Sequence, residues 1–405
     1  MQAPLSSIFS NNEHIEDVFE SFVVWLHEFT PLVRSRIAGA LIDRMQHIET
    51  LPLSEEKMLH DLLVAAYGET LLESKRLIDT AGPGNDLRSL VYARVKDLSL
   101  RMSLLEHFKR EADQLKMRPT HVLSDIDMTM WIGTFGAGGP KFPTGPVPGA
   151  LSLYAALGGR ITFVTARPPV FESRTRSLLD EVGIAEATIL PGTLENIMRA
   201  VIQPEAARRN MGEEKDRVFQ QFSTLYPEAQ FVFFGDSGEG DMDFAISFMA
   251  SDDAKAESSQ LEDSPISQKS RRWDRLALIH DVVVTDGIEP KTGEAQRNEL
   301  RRSGVIVFDT YIGAAAELYH LGFLDAEGLR STAERCMAEF DEIPQEEYRS
   351  PEIFEARRLE FRKDFAQVQA ALTALPSTSS AAIKLGEFLE QDAGQEVRLP
   401  LAKTL

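Results

Sequence analysis

The run HVLSDIDMT, residues 121–129, passes from an apolar stretch into two aspartates two positions apart and a threonine. On an extended chain such aspartates point to opposite faces. Both can serve one pocket only if a sharp turn follows the strand. Given that turn, Asp125 can attack phosphorus as a carboxylate nucleophile. Asp127 can then give a proton to the leaving oxygen and later take one from water. The same string also reads as a capped turn, with Asp or Thr bonded to its own backbone. By itself it does not separate the two.

Four further apolar, β-branched or aromatic runs follow, each leading through a turn into a helical stretch: RITFVTA (160–166), FVFFGD (231–236), LALIHDVVV (276–284) and VIVFD (305–309), with a shorter strand near 187–190. Continuous apolar strands alternating with helices indicate an α/β fold, a Rossmann-like parallel sheet covered on both faces. Ligands in such sheets bind beyond the carboxyl ends of the strands, and the reactive residues of this chain fall there. Thr165 ends the second run, where a hydroxyl and the N–H groups of the next turn can hold a phosphoryl oxygen. Arg167 follows it, and Arg174 lies one helical segment on; both are candidates to recruit an anion. Gly235-Asp236-Ser237-Gly238-Glu239-Gly240-Asp241 ends the third run in a tight acidic turn. Asp125 and Asp236 on different strands can share Mg²⁺, which takes hard oxygen ligands. Lys215 reads as the start of a helical stretch to Leu225. A cation there opposes the helix dipole, a hint that it neutralises the aspartate nucleophile and its phosphate.

The chain has 405 residues, 43% apolar and 26% charged, with a formal charge of −20. It is long enough for two or three structural units and too apolar for wholesale disorder. The acidic balance gives no strong nucleic-acid signal and leaves any nucleic acid or anionic membrane to local basic patches: Arg174 with Arg176, Arg208-Arg209, Arg271-Arg272 with Arg275, and Arg301-Arg302. One cysteine excludes a disulfide framework within the chain. No apolar run reaches ~18 residues, and the N-terminal stretch lacks signal-peptide character. A cytoplasmic location is expected, with peripheral membrane contact left open.

Residues 1–117 read as helical. The spacing of Val18, Phe19, Phe22, Val23, Leu26 and Phe29 predicts one helix, Pro31 restarts it, Ser54 caps the next, and Asp86 caps a third over about 87–115. Residues 118–325 form the sheet domain, with a polar, mobile insertion at 251–272. Residues 326–405 return to helix, broken at Pro344 and Pro351, with a linker at 375–380 and a short helix at 381–391. The helical regions are candidate surfaces for a protein partner.

The order of these signals resembles the four motifs of the haloacid dehalogenase superfamily of phosphohydrolases. The resemblance implies Asp125 as nucleophile, Asp127 as general acid/base, and Thr165 and Lys215 on the phosphate. It implies Asp125, Asp236, Asp241 and the main-chain carbonyl of Asp127 around Mg²⁺. A closer likeness is to the actin-patch-type phosphatidate phosphatase catalytic domain. It rests on Ser-Asp-Ile-Asp-x-Thr, Pro146-Val147-Pro148-Gly149, Leu178-Leu179-Asp180-Glu181-Val182-Gly183, Gly235-Asp236-Ser237-Gly238-Glu239 and Ile279-His280-Asp281-Val282. Two departures are Met128, where that family commonly has Asp, and Thr-Ala-Arg-Pro, where it usually has Ser-Gly-Ser-Pro.

The two positions where such enzymes insert a lid, 130–146 and 168–214, hold little room for one. An open mouth suits a large phosphorylated substrate such as a lipid head group. A phosphoprotein or polynucleotide end is the alternative, and an inactive interaction module the second. Trp131, Phe135 and Phe142 in the Gly-rich first loop are expected to pack against the N-terminal helices or to touch a membrane interface.

Overall fold

The computed structural model describes residues 28–45, 52–80, 86–115, 118–132, 145–158, 160–184, 187–193, 204–238, 240–258, 275–281, 292–348 and 350–373. The expected helices at 18–29 and 381–391, the linker, Phe135 and Phe142 lie largely or wholly outside these.

Among the described residues four α-helices come first, α1 (Pro31–Met45), α2 (Leu53–Val64), α3 (Gly68–Asp79) and α4 (Leu98–Asp113), with a short π-helical segment, Ser89–Arg94, before the last. Strand β1 (Thr120–Ser124) is followed by a two-stranded ribbon, β2 (Trp131–Ile132) and β3 (Gly145–Pro146), then α5 (Ala150–Ala156), β4 (Ile161–Val164), α6 (Glu172–Glu181) and β5 (Thr188–Leu190). The second half runs α7 (Pro204–Leu225), β6 (Gln230–Asp236), α8 (Asp241–Ser258), β7 (Arg275–His280), α9 (Glu294–Arg302), β8 (Ile306–Phe308), α10 (Tyr311–His320), α11 (Ala326–Asp341) and α12 (Pro351–Thr373).

The apolar runs form one parallel sheet in the order β5-β4-β1-β6-β7-β8. The chain builds outward from β1 to one edge, returns to the far side of β1, and builds to the other edge. The strand order therefore reverses at β1, and the crevice beyond its carboxyl end is the switch point where such sheets bind ligands. The ribbon β2–β3 has no precursor in the sequence reading; two residues a side are too few to show a period.

Alternate side chains of β1 and β6 enter different cores. Leu123, Phe231 and Phe233 pack with α7, α8 and the N-terminal helices, among them Leu59, Val91 and Phe108. Val122, Val232 and Phe234 pack with α5, α10 and the C-terminal helices, among them Leu329, Phe340 and Phe361. The flanking helices thus complete the two layers over the sheet. Cys336 on α11 donates its thiol to the Pro148 carbonyl (3.1 Å), and Glu339 accepts the Gly149 N–H (2.8 Å). Trp131 packs on the second core, the C-terminal one; among the described residues it is not one of the side chains packed on the N-terminal core.

Several local expectations need correction. Ser54 sits inside α2, whose N-cap is Pro52 without a side-chain bond. Asp86 does cap a helical turn, accepting from the Ser89 N–H (2.7 Å). The helix then breaks at 95–97, because Glu56 accepts the N–H groups of Lys96 (3.0 Å) and Asp97 (2.8 Å) and Asp97 caps α4. The stretch 251–258, read as mobile insertion, continues α8; the rest of that insertion lies outside the described residues. Arg275 is buried with its guanidinium over the Phe219 ring (5.0 Å), so it joins no surface patch.

The N-terminal helices meet the sheet layer through a buried polar knot. Lys75 Nζ donates to the Leu225 carbonyl (2.8 Å) and pairs with Glu228 (2.6 Å), both side chains almost fully buried. Tyr226 donates its hydroxyl to Asp79, which also accepts the Leu87 N–H (2.7 Å). Burial pushes the Asp79 carboxyl up to about 7, only partly offset by the bonds from Tyr226 and Leu87. The folded state therefore holds a proton there that the unfolded chain releases near pH 4. That contribution to stability is complete below about pH 4 and is lost as pH rises through about 7. Urea unfolding at pH 4.5 and 7.5 should show Asp79→Asn losing less stability than wild type over that interval; parallel losses would reject the assignment.

Among the described residues no helix is long and apolar enough to cross a membrane.

Candidate active site

Asp125 directly follows β1, and its N–H donates to the Phe234 carbonyl (2.9 Å), carrying the β1–β6 ladder one step past the strand. The chain then turns. Ile126 accepts from both Met130 N–H (3.1 Å) and Trp131 N–H (2.9 Å), and Met128 N–H donates to the Trp131 carbonyl (2.7 Å). Met128 takes φ 60°, the one left-handed non-glycine among the described residues. A side chain there is strained, so the surroundings must hold it. His280, at the end of β7, donates Nδ1–H to the Met128 carbonyl (2.9 Å). Tyr311 donates to the Thr129 carbonyl (3.0 Å) and its hydroxyl touches that of Tyr154 (3.0 Å), which meets Ser124 Oγ (2.9 Å). This is the sharp turn that the Asp-x-Asp spacing requires. His280 entered the sequence reading only within the Ile279-His280-Asp281-Val282 likeness, with no role given to it, although the rule that selected Asp236, a polar residue ending a parallel strand, also selects His280.

Asp236 ends β6, the neighbour of β1, and Asp241 opens α8. Asp241 Oδ2 accepts the Asp236 N–H (3.1 Å), and the Asp236 side chain accepts the Gly238 N–H. Gly235 makes this packing possible: a Cβ there would lie 2.7 Å from Asp241 Oδ2 and from the Phe233 ring. Asp125, Asp236 and Asp241 are all buried, and one carboxylate oxygen from each lies within 4.8 Å of the others.

Lys215 joins them from α7. Its Nζ donates to Asp125 Oδ1 (3.0 Å) and to Asp241 Oδ1. The dipole argument for this lysine fails, because α7 begins at Pro204 and places Lys215 mid-helix. Its neighbourhood depends on Gly212, one turn earlier, where a Cβ would lie 3.0 Å from the Gly240 carbonyl and 3.1 Å from Asp243 Cβ. Burial alone would pull the Lys215 pKa down, but the fields and hydrogen bonds of Asp125 and Asp241 outweigh it and move it up, so the ammonium stays charged.

Thr165 directly follows β4, on the other side of β1. It is buried, and its Oγ1 accepts the Arg167 N–H (3.2 Å). Thr165 and Lys215 line one small cleft with Ala166, Gly192 and Met211. Asp127 does not place its carboxylate in the acidic triad. Arg167 holds it apart from the triad, Nε donating to Oδ2 at 2.8 Å and Nη2 to Oδ1 at 2.7 Å. In this state Arg167 therefore serves a carboxylate, where the sequence suggested an incoming anion. Arg174 is exposed on α6 and is not among the buried side chains gathered at the site.

Of the two candidate lid positions, 133–144 and 194–203 lie outside the described residues. The described remainder is the β2–β3 ribbon, the α6–β5 part of the sheet layers and the first half of α7.

Three buried carboxylates meet here, two of them bonded to the Lys215 ammonium. The cluster offers only hard oxygen donors, the chemistry that suits a small divalent cation. Compared with protein-family models, curated proteins and solved structures, the chain matches none of them.

Proposed function

We propose that this protein is a Mg²⁺-dependent phosphomonoester hydrolase of the haloacid dehalogenase type, with Asp125 as nucleophile and a phosphatidate-like lipid phosphate as substrate. The observation that carries this reading is the meeting of Asp125, Asp236, Asp241 and Lys215 at the switch point of a parallel sheet. A structural ion-pair cluster would gain nothing from that address, whereas ligands of open parallel sheets bind there. The lipid assignment comes from the motif likeness and from the short lid positions read in the sequence.

Asp125, Asp236 and Asp241, with the main-chain carbonyl of Asp127, would hold the cation. When bound, it would supply positive charge against the phosphoryl oxygens. Thr165 Oγ1 and Lys215 Nζ bind those oxygens and orient phosphorus toward Asp125. An Asp125 carboxylate oxygen forms the bond to phosphorus as the ester oxygen departs with the P–O electron pair. Asp127, entering this step as the free acid after taking a proton from solvent, gives that proton to the departing oxygen. Asp127 then takes a proton from water, whose oxygen bonds to phosphorus and releases Asp125 and inorganic phosphate.

The test is a panel of phosphatidate in mixed micelles, a phosphopeptide and a 5′-phosphorylated oligonucleotide, assayed with Mg²⁺ and after chelation. The expected result is Mg²⁺-dependent phosphate release, fastest from the lipid. Release fastest from either polymer keeps the chemistry and changes the substrate class. No release from any member removes the enzyme and leaves an interaction module.

A further inference from the structure

We propose that Arg167 is a positioning residue that aims the Asp127 carboxylate at the leaving oxygen. The inference deepens the phosphatase reading and rests on it.

Two cations divide three of the site's four aspartates between them. Lys215 takes Asp125 and Asp241, and Arg167 takes Asp127 through both of its oxygens. A point-like ammonium bonded to Asp127 would leave the carboxylate free to rotate. A planar guanidinium bonded through two nitrogens fixes both the position and the plane of the group. The fork is itself immobilised: Nη1 donates to Thr175 Oγ1 on α6 (3.3 Å). The Arg167 carbonyl accepts the Gly192 N–H (2.9 Å), and its N–H donates to Thr165 Oγ1 (3.2 Å). Arg167 and Asp127 are buried, with side chains 6% and 9% exposed, so water offers the carboxylate little competition.

This tie also answers the problem posed by the Asp-x-Asp spacing. The turn at Met128 brings Asp127 back toward the site, but a second carboxylate beside Lys215 would be drawn to that ammonium and to the cation site. Arg167 gives it a separate partner. It does so from the turn that carries Thr165, so the proton donor and the phosphate-binding hydroxyl are registered to each other.

A leaving-group series separates this role from simple phosphate binding. A general acid matters for a poor leaving group such as an alkoxide and little for 2,4-dinitrophenolate. The quantity to compare is kcat/KM, which stops at the first irreversible step. Arg167→Gln should lower kcat/KM on an alkyl phosphate by about 10²-fold or more, the usual scale of general acid catalysis. On 2,4-dinitrophenyl phosphate the loss should stay within about tenfold. Arg167→Lys keeps the charge without the fork and should not restore the alkyl substrate. Asp127→Asn should show the same substrate dependence. Adding Arg167→Gln to Asp127→Asn should cost little more, since residues that act as a unit are not additive.

An equal loss on both substrates, carried in KM and additive with Asp127→Asn, makes Arg167 a phosphate ligand and overturns the proposal. Full rescue by lysine does the same. If wild type turns over and Asp125→Asn does not, those outcomes reject the Arg167 role alone. If wild type hydrolyses neither substrate, the phosphatase reading fails and takes this proposal with it.

Discussion

Asp125→Asn should eliminate turnover, by at least about four orders of magnitude, while the fold persists. Asparagine is isosteric with aspartate, and its side-chain oxygen can still accept from Lys215, so the sheet end keeps its shape. It lacks the negative oxygen that the proposed mechanism brings to phosphorus, and among the described residues no neighbouring carboxylate is placed to replace it. Asp236 and Asp241 are bound in the turn after β6, and Asp127 is tied to Arg167. The check pairs steady-state phosphate release with mass spectrometry of acid-quenched protein. Wild type should carry a phosphoryl adduct on Asp125 and the variant none. Retained turnover in Asp125→Asn, with Mg²⁺ still bound, would end the nucleophile assignment.

Glu228→Ala should cost about 3–5 kcal/mol of stability, the scale for removing one partner of a buried ion pair. Lys75 would lose its carboxylate inside a wall made by Phe108 and Tyr226, each ring centroid 4.8 Å from Nζ. Burial already pulls the Lys75 pKa down and Glu228 works against that, so the lone lysine would shed its proton or drag in water. The pair itself is worth less than this penalty. Lys75→Met with Glu228→Leu should regain most of the loss, because an apolar pair of similar volume avoids burying charge. Chemical unfolding of the two variants beside wild type decides the matter. A loss under 1 kcal/mol for Glu228→Ala would show that the N-terminal helices lean on the sheet layer without being joined to it.

The sheet was legible because its strands are buried on both faces and so announce themselves as unbroken apolar runs; RITFVTA and FVFFGD admit no other period. Asp125, Thr165 and Asp236 were legible for the same reason, as polar residues that end such runs. What stayed hidden was decided across the chain. The helix stops at 95–97 because Glu56, forty positions earlier, accepts its N–H groups. Nothing near Lys96 signals it. Arg167 read as an anion receptor because its partner, Asp127, stands on another strand's turn. Lys215 was selected for a mistaken reason: its helix starts earlier than the charge pattern suggested, yet the side chain arrives where expected. The β2–β3 ribbon is too short for any pattern, and it exists because the turn at Met128 sends the chain back across Trp131.

The position of β1 at the middle of the sheet bears on how the molecule is made. Its first neighbour, β4, follows soon after, but its other edge waits for β6, which begins only at Gln230. A nascent chain leaving the ribosome therefore displays one bare edge of an apolar strand for the whole time that the intervening segment is being translated. Exposed edges of that kind invite pairing with other chains. Fragments ending before β6 should accumulate as insoluble material, and the growing polypeptide is a natural client for chaperones until its sixth strand has emerged.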